Sequence, residues 1–339
     1  MKKNVVVIAL VVGAFSVQVR AQQVNAYCST NQSWCEMAAS EFTKATGVKV
    51  VQTHLGTGEA LARLKAESAN PKTDIWWGGT GDPFLAGAEQ GLLEPYRPAY
   101  LKDLYDWSVR QYDMTNNVVG GFYTSFIGIG YNEEILTKAK LPTPKCWADL
   151  VDPKYKGHVE MANPGTSGGG YTIVAGFIQL MGEEKAFEYM KRLHKNITQY
   201  TKSSQAQGKS VARGEATVGI SFLLAFEEER LAGFKNVKSV PPCEGTSYEV
   251  GGIALIKGAR NGENAKKYYD WLMSPVGQGI GAKANSLQNP ANKTFNQDAK
   301  IPTMDGVKLI NYDFKKYGAS AERKRILERW EKEVNSLPR

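Results

Sequence analysis

The sequence contains few of the residues and motifs on which enzymatic chemistry usually depends. It has 3 histidines and 4 cysteines among 339 residues. Neither a CxxC pair nor a histidine cluster accompanies the cysteines, which argues against a metal site. An HExxH motif, a Ser/His/Asp order with a nucleophile elbow and a Walker-type lysine after a glycine-rich loop are also missing. We therefore expect a protein that is not an enzyme and that uses neither a cofactor nor a metal.

Long basic runs and stripes of lysine interleaved with aromatic residues are missing as well, so nucleic acid is a poor candidate for a partner. The only long apolar run spans residues 5–15, and it is too short to cross a membrane comfortably. Met1-Lys2-Lys3 precedes this run and Val19-Arg20-Ala21 follows it. This order predicts a secretory signal peptide over residues 1–21.

Cleavage after Ala21 would place the mature protein in the periplasm. No cysteine stands at the cleavage point, which argues against a lipoprotein anchor. Removal of the signal peptide takes away three basic residues and lowers the formal net charge from +8 to +5. A mildly basic protein of this kind is compatible with a small anionic ligand.

All four cysteines, Cys28, Cys35, Cys146 and Cys243, lie in the exported part of the chain. An even count in an oxidising compartment indicates disulfide bonds. Three pairings are possible. We favour Cys28–Cys35, a local clasp at the start of the first predicted helix, together with Cys146–Cys243, which joins distant parts of the chain.

The N-terminal hundred residues alternate between strand and helix patterns. Strands are predicted at 24–27, 48–52 and 74–77, and a helix follows each of them. Loops rich in Ser, Thr, Gly and Asn lie at the carboxyl ends of these strands, at 28–33, 56–59 and 78–82. This alternation is typical of a parallel, doubly wound α/β sheet, in which ligands bind outside the carboxyl ends of the strands. We expect the three loops to face one cleft.

A glycine-rich stretch from Ala162 to Thr172 separates another predicted strand from a predicted helix. Glycines let the backbone N–H groups approach a ligand, and the start of a helix carries partial positive charge, so this turn suits a phosphate or a carboxylate. The alternative is a tight connection in which a hydroxyl only caps the helix. No complete nucleotide fingerprint is present, so the residues alone leave both interpretations open.

Seven motifs occur in order along the mature chain: GTGEALARLKAE (56–67), DIWWGG (74–79), GIGYNEEIL (128–136), CWADLVDPKYKGHVEMANPGTSGGGYT (146–172), VARGEATVGISF (211–222), GGIALIKGARN (251–261) and YYDWLMSPVGQ (268–278). Together they resemble periplasmic substrate-binding proteins of ABC importers. The similarity is to the ferric-ion-like class of these proteins and, within it, to the AfuA-type binders of organophosphates such as hexose phosphates.

The resemblance implies a type II periplasmic binding protein fold, an α/β fold with two doubly wound lobes joined by two crossover strands. The crossovers would lie near 123–128 and 246–252. The implied divisions are 22–122 plus 253–305 for lobe one, 123–252 for lobe two and 306–339 for a C-terminal segment whose terminal helix packs across the lobes. Ligand would close the lobes of a monomer, and an inner-membrane ABC permease would recognise the closed form.

Members of this class differ in their ligand. Ferric binders offer a pair of tyrosines with a histidine or carboxylate, because ferric iron prefers anionic oxygen donors. Here the stretch after Gly219 contains no tyrosine, and loop 28–33 offers Ser29, Thr30, Asn31 and Gln32. The departure favours a small phosphorylated organic anion, a sugar phosphate or similar organophosphate. Ferric iron held by Tyr200 or Tyr248, and a ligand-sensing role beside a membrane histidine kinase, remain alternatives.

The predicted binding residues fall into groups. Residues 166–169 would hold the anion, loop 201–203 would add a second contact, and the remainder would come from lobe one and the crossovers. Asp82 and Glu249 would accept hydrogen bonds from hydroxyls or an amine. The full set is Ser29, Thr30, Asn31, Gly56, Thr57, Gly79, Thr80, Asp82, Thr124, Ser125, Asn163, Thr166, Ser167, Gly168, Gly169, Thr201, Lys202, Ser203 and Glu249. Trp34, Trp76 and Trp77 are candidates for stacking on a sugar, although for Trp76 and Trp77, which lie on a buried strand, we favour core packing.

Overall fold

A computed structural model describes residues 23–295, 301 and 307–339 of the chain. The predicted signal peptide and its cleavage site after Ala21 therefore lie outside the described residues. Within the described ranges, no helix is both long enough and apolar enough to span a bilayer.

Strands and helices alternate along most of the described chain. The strands are β1 (Gln23–Cys28), β2 (Lys49–His54), β3 (Ile75–Thr80), β4 (Leu93–Glu94), β5 (Gly120–Asn132), β6 (Val159–Ala162), β7 (Ile197–Thr201), β8 (Val218–Phe222), β9 (Val237–Val240), β10 (Tyr248–Ile256) and β11 (Asn289–Pro290). The helices are α1 (Gln32–Thr46), α2 (Thr57–Ala66), α3 (Asp82–Glu89), α4 (Asp106–Met114), α5 (Glu133–Lys138), α6 (Gly168–Met181), α7 (Glu183–His194), α8 (Ala206–Arg213), α9 (Leu223–Leu231), α10 (Gly262–Met273), α11 (Pro275–Gln278), α12 (Ile280–Lys283), α13 (Phe314–Gly318) and α14 (Ser320–Trp330).

The strands form one sheet with two halves, which meet at the central strands β10 and β5. In one half β1 lies between β2 and β3 with parallel pairing, and β10 adds antiparallel to β3. In the other half β6 lies between β7 and β8, again with parallel pairing. The strand order is β2-β1-β3-β10-β5-β8-β6-β7. The predicted α/β fold with two parallel, doubly wound halves is confirmed.

The long strand β5 connects the two halves. Its first part, up to Phe126, pairs with β10, and its second part, from Ile127, pairs with β8 and β9. Strand β10 pairs with β5 on one side and with β3 on the other. These two strands occupy the places predicted for the crossovers. The lobe boundaries stay a prediction, and the boundary at 305/306 falls among residues that the structure does not describe.

The third strand is longer than its pattern predicts. It continues through Gly78 and Gly79 to Thr80, so the predicted loop 78–82 begins inside the strand. Gly78 and Gly79 have φ values of 76° and 81°. These values lie in the left-handed region, which glycine enters at little cost. The two glycines therefore let the end of β3 turn toward the neighbouring loops.

Aromatic residues fill the interior of the first half. Trp34, Trp76 and Trp77 are at most 3% exposed. The Trp76 ring stacks on Phe84 with centroids 3.6 Å apart, and its Nε1 donates to Ser29 Oγ at 2.9 Å. The hypothesis that these indoles stack on a sugar is wrong, because burial in the core leaves no ring face for a ligand. The core packing favoured for Trp76 and Trp77 is correct, and it extends to Trp34.

Both disulfide bonds of the favoured pairing are present. Cys28 and Cys35 join the end of β1 to α1, with Cα atoms 6.0 Å apart. Cys146 and Cys243 join segments that are 97 residues apart in sequence, with Cα atoms 4.8 Å apart.

The C-terminal segment contacts both halves. The Ser320 amide donates to Glu89 Oε2 at 3.1 Å, and this carboxylate ends α3 of the first half. Arg325 binds Glu183 at the start of α7 through two hydrogen bonds of 2.7 and 2.9 Å. The terminal helix α14 is shorter than the predicted 320–334, because a π-helical turn, Glu331–Asn335, follows it.

Candidate functional site

A cavity of about 240 Å³ lies between the two sheet halves. Its walls come from the carboxyl ends of β1, β2 and β3, from the glycine-rich turn before α6, from the loop after β7 and from β10. The polar loops of both halves therefore face one space. This is the arrangement expected for ligand binding at the carboxyl ends of parallel strands.

Most of the predicted binding residues line this cavity. They are Ser29, Thr30, Asn31, Gly56, Thr57, Gly79, Thr80, Thr166, Ser167, Gly168, Gly169, Lys202, Ser203 and Glu249. Their roles in binding stay predictions, since shared placement brings them together without showing a ligand.

Two predicted residues on β5 do not line the cavity. Ser125 and Glu249 are paired across β5 and β10, and Thr124 is paired with Val250. Side chains alternate along a strand, so Thr124 points to the opposite face of the sheet from Glu249. Its hydroxyl donates to the Glu249 carbonyl at 2.7 Å. Ser125 shares the face of Glu249 and is buried. Neither residue is among those lining the cavity, and their contact with a ligand stays a prediction.

Asn163 and Thr201 shape the loops instead of lining the cavity. Asn163 Oδ1 accepts a hydrogen bond from the Gly165 amide at 2.8 Å, which fixes the turn. Thr201 Oγ1 donates to the Ser203 carbonyl at 2.9 Å. Neither residue is among those lining the cavity, and direct contact with a ligand stays a prediction at both positions.

The glycine-rich turn ends in a capped helix. Ser167 is the N-cap of α6, and its Oγ accepts a hydrogen bond from the Gly170 amide at 3.2 Å. The capping interpretation left open by the sequence is therefore correct for this hydroxyl. The cap uses only the oxygen, so the hydroxyl hydrogen stays available to donate elsewhere. The amides of Gly168 and Gly169 precede the first intrahelical bonds, and both residues line the cavity.

Three helices begin at the cavity. Asn31 caps α1, Gly56 caps α2 and Ser167 caps α6, and all three residues line the cavity. The first turns of α1 and α6 contain no acidic residue. The starts of α1 and α6 therefore present partial positive charge to the cavity, whereas Glu59 lies in the first turn of α2. Lys202, an exposed lysine at the rim, adds a full positive charge, so this part of the cavity is suited to an anion.

The two halves are in contact beside the anion turn. A methyl group added at Gly168 would collide with Thr80 Oγ1 on β3, and one added at Gly79 would collide with Thr57 Cγ2. Thr57 and Thr80 are themselves joined through their hydroxyls at 3.3 Å. Only a residue without a side chain at position 168 allows the start of α6 to approach this pair of threonines.

Two carboxyl groups lie buried close to the cavity. Burial, and then the negative charge of Asp82, raise the pKa of Glu249 to about 8, while the Ser125 hydroxyl opposes the rise. Burial raises the pKa of Asp82 to about 7, and the Arg323 guanidinium opposes that rise. Glu249 lines the cavity. Asp82, buried at the start of α3, is not among the lining residues, and its contact with a ligand stays a prediction.

The tyrosines considered as iron ligands lie elsewhere. Tyr200 OH is hydrogen bonded to His194 Nδ1 at 2.9 Å, and Tyr248 lines a separate hollow beside α4. Neither is among the residues lining the cavity. Tyr123 does line it, and its hydroxyl accepts from the Gly79 amide at 2.7 Å. Burial raises the pKa of Tyr123 well above its ordinary value, which opposes the phenolate form that ferric iron needs.

Several lining residues are absent from the predicted set: Gln32, His54, Leu55, Tyr123, Ser204, Gln205, Phe222, Leu224 and Gln288. His54 is the last residue of β2. The strand predicted at 48–52 stops short of it, so the prediction did not place it at a strand end. Its Nε2 lies 2.7 Å from the Thr30 carbonyl. Gln288 comes from a distant segment, and no local pattern in the sequence points to it.

A polar cavity lies between the two halves of the sheet, and three helices begin at its wall. An α/β fold with such a cavity is typical of solute-binding proteins. The match with a family model is specific: residues 70–316 match the bacterial extracellular solute-binding protein family, and the chain belongs to it. The chain is a periplasmic solute-binding protein.

Individual relatives agree with this assignment. An uncharacterized protein of Haemophilus influenzae (strain Rd) is 41% identical over 310 residues, which cover 91% of this chain and 89% of that protein. A putative 2-aminoethylphosphonate-binding periplasmic protein of Salmonella typhimurium is 27% identical over 258 residues, which cover 73% of this chain and 71% of that protein.

Solved structures show the same fold. The periplasmic binding protein AfuA from Actinobacillus pleuropneumoniae, with exogenous fructose-6-phosphate bound, superimposes with a TM-score of 0.88 at 40% identity. The match covers 93% of this chain and 99% of that one. Iron-bound HitA from Pseudomonas aeruginosa superimposes with a TM-score of 0.78 at 20% identity, over 90% of this chain and 98% of that one. The second likeness shows the fold alone.

Proposed function

We propose that this chain captures a small phosphorylated organic anion, a sugar phosphate or similar organophosphate, and delivers it to an inner-membrane ABC permease. The observation that carries the proposal is the meeting of three helix starts and Lys202 around one cavity. Uncapped amides and hydroxyls are good donors to a phosphoryl group, and the helix starts add positive charge without an arginine.

Relatives support the same ligand class. AfuA holds fructose-6-phosphate in its structure, and the Salmonella relative is named for 2-aminoethylphosphonate. The two compounds share a phosphorus oxyanion joined to an organic group. Ferric iron is the less supported candidate, because Tyr200 and Tyr248 lie outside the cavity lining and Tyr123 is held neutral by burial.

A binding role also fits the partners of Ser167, which occupies the centre of the sequence Gly165-Thr166-Ser167-Gly168-Gly169. A serine nucleophile needs a histidine within hydrogen-bond reach. The three histidines have other partners: His54, which lines the cavity, has its Nε2 2.7 Å from the Thr30 carbonyl, His158 is bonded to Thr217, and His194 is bonded to Tyr200 and the Leu337 carbonyl. We propose that the protein is not an enzyme and acts as a monomer beside its permease, with a sensor kinase as the alternative partner.

The first test is a thermal-shift screen of refolded, ligand-stripped protein against sugar phosphates, 2-aminoethylphosphonate, inorganic phosphate and ferric citrate. A ligand that binds only the folded state raises the melting temperature by mass action. We expect a shift with an organophosphate and none with ferric citrate. A shift with ferric citrate alone would contradict the proposed ligand class.

The second test addresses the anion turn. Thr166→Val combined with Ser167→Ala removes two hydroxyl donors, and binding of the organophosphate found in the screen should weaken by about 2–4 kcal/mol. Thr137→Val with Ser336→Ala is the control, because these hydroxyls are bonded to helix carbonyls on the surface away from the cavity. Equal affinity in the two double variants, measured by calorimetry, would remove the turn from the binding site.

A further inference from the structure

One wall of the cavity offers hydrogen-bond acceptors. Glu249 is 5% exposed, and its Oε2 has no hydrogen-bond partner among the described residues. Asn31 Oδ1, at the start of α1, is likewise buried and without a partner in the described part of the chain. Both residues line the cavity. Buried polar atoms are normally paired, so these two oxygens are free to accept hydrogen bonds from a ligand in the cavity.

Further carboxyl groups stand behind this wall. Asp82 lies close enough to Glu249 for its negative charge to act on it. Glu228 lies behind Asn31, where its Oε1 accepts from the Leu287 amide at 3.2 Å. Its surroundings include the carboxylate of Glu229 and the ammonium group of Lys209.

The cations are placed elsewhere. Arg323 acts on Asp82 from the C-terminal segment and is not among the lining residues. Lys202 does line the cavity. Its backbone carbonyl accepts a hydrogen bond from Thr166 Oγ1 at 3.4 Å. The positive charge is therefore beside the anion turn, and the acceptors are on β10 and α1.

We propose that the acceptor wall, formed by Glu249 and Asn31, binds a hydrogen-bond-donating group, a hydroxyl or an ammonium, on the same ligand whose phosphoryl group occupies the anion turn. The cavity then selects organophosphates with one acidic end and rejects those with a second acidic end. This inference rests on the proposed function and narrows its ligand class.

The physical reason for rejection is that the surroundings of this wall disfavour negative charge, since burial raises the pKa of both Glu249 and Asp82. A second carboxylate of the ligand would carry its negative charge into these surroundings, whereas the lining cation, Lys202, belongs to the loop that contacts Thr166. A hydroxyl or ammonium would instead donate to the unpaired oxygens. The oxygens that are unpaired in the free protein are thus the groups that discriminate between the two kinds of ligand.

The experiment uses pairs of ligands of matched size that differ at the end remote from phosphorus. The pairs are glucose 6-phosphate with 6-phosphogluconate, glycerol 3-phosphate with 3-phosphoglycerate, and 2-aminoethylphosphonate with 3-phosphonopropionate. In any pair that binds, the donor-bearing member should bind at least about tenfold more tightly to stripped wild-type protein. Preference in the amine pair identifies an ammonium as the donor, and preference in a sugar or glycerol pair identifies a hydroxyl.

Glu249→Gln tests the wall itself. Removing this carboxyl should reduce the donor-to-acid preference at least about fivefold. This ratio is insensitive to a uniform loss of folded protein. Glu160→Gln is the matched control, since Glu160 is 1% exposed on β6 and bonded to Gln199 at 2.8 Å without lining the cavity, and it should keep the wild-type ratio.

The outcomes separate the inference from the function beneath it. Tight binding of an organophosphate with equal affinity for the acid-bearing partner, or an unchanged ratio in Glu249→Gln, would overturn the acceptor wall and leave the proposed function standing. Failure of all three pairs to bind would overturn both.

Discussion

At the scale of single residues, Gly168 is a point where the two halves come close together beside the cavity. It is the first residue of α6, where alanine is ordinarily a better helix former than glycine. Its neighbour, however, is the hydroxyl of Thr80 on β3, which an added methyl group would strike. Local propensity and contact between the halves therefore favour different residues here, and we attribute the glycine to that contact.

Gly168→Ala should weaken binding of the organophosphate ligand by about tenfold or more, because overpacking of this kind typically costs about 1–3 kcal/mol. The stability of the unfolding transition should change less than the affinity, since the helix itself tolerates alanine. Calorimetric titration and urea unfolding of the same preparation measure the two quantities.

Two further variants define the cause. Gly58→Ala lies in the first turn of α2, where an added methyl group meets nothing within 4 Å, and it should bind like wild type. Adding Thr80→Ala to Gly168→Ala removes the struck hydroxyl and should recover part of the affinity. A Gly168→Ala protein with wild-type affinity would show that this contact does not limit binding.

At the scale of elements, local patterns predicted which loops meet, because strand ends in a parallel sheet necessarily share an edge. Ser29, Thr57 and Ser167 were found in this way. Thr124 does not line the cavity, and its face depends on the register of β5 against β10, which a single sequence does not encode locally. Gln288 was missed for a related reason: it reaches the cavity only through packing of segments distant in sequence.

The two disulfides close loops of very different length. Cys146–Cys243 spans 97 residues and Cys28–Cys35 spans 7. In the chain-entropy model the longer loop stabilises more, by about 2 kcal/mol. Replacing Cys146 and Cys243 by alanine should therefore lower the free energy of unfolding by roughly 4–5 kcal/mol, against roughly 2–3 kcal/mol for the shorter pair.

Binding should respond in the opposite order. The Cys28–Cys35 loop contains Ser29, Thr30 and Asn31, which line the cavity, so its alanine variant should lose more affinity than the Cys146/Cys243 variant. Urea unfolding and titration of both double-alanine proteins measure this crossed pattern. If one of the two double-alanine proteins lost more of both stability and affinity than the other, this expectation would be contradicted.

At the scale of the whole molecule, groups from distant parts of the chain meet in one buried cluster. Asp82 starts α3, Glu249 lies on β10, and Arg323 comes from the terminal helix. The Arg323 guanidinium lies 4.3 Å from the centroid of the Tyr171 ring on α6. The C-terminal segment thus brings a cation to a pair of acids that neither sheet half neutralises by itself.

This cluster predicts a pH dependence of stability. Burial raises the pKa of Asp82 from 3.8 to about 7 and that of Glu249 from 4.5 to about 8. Between the unfolded and folded values the native protein binds more protons than the unfolded chain, so stability should fall as pH rises. The slope is up to about 1.4 kcal/mol per pH unit for each proton, and urea unfolding between about pH 5 and 8 measures it.

Asp82→Asn combined with Glu249→Gln removes both titrating groups while keeping their shapes, so the slope in this range should become shallower. It should not vanish, because burial also raises the pKa of Glu228 to about 7. Glu41→Gln is the control: Lys44 lowers the pKa of this exposed carboxylate below 4.5, outside the measured range, so the wild-type slope should remain. If the double variant kept that slope as well, the acids would be charged in the native protein, with Arg323 compensating them instead of protons.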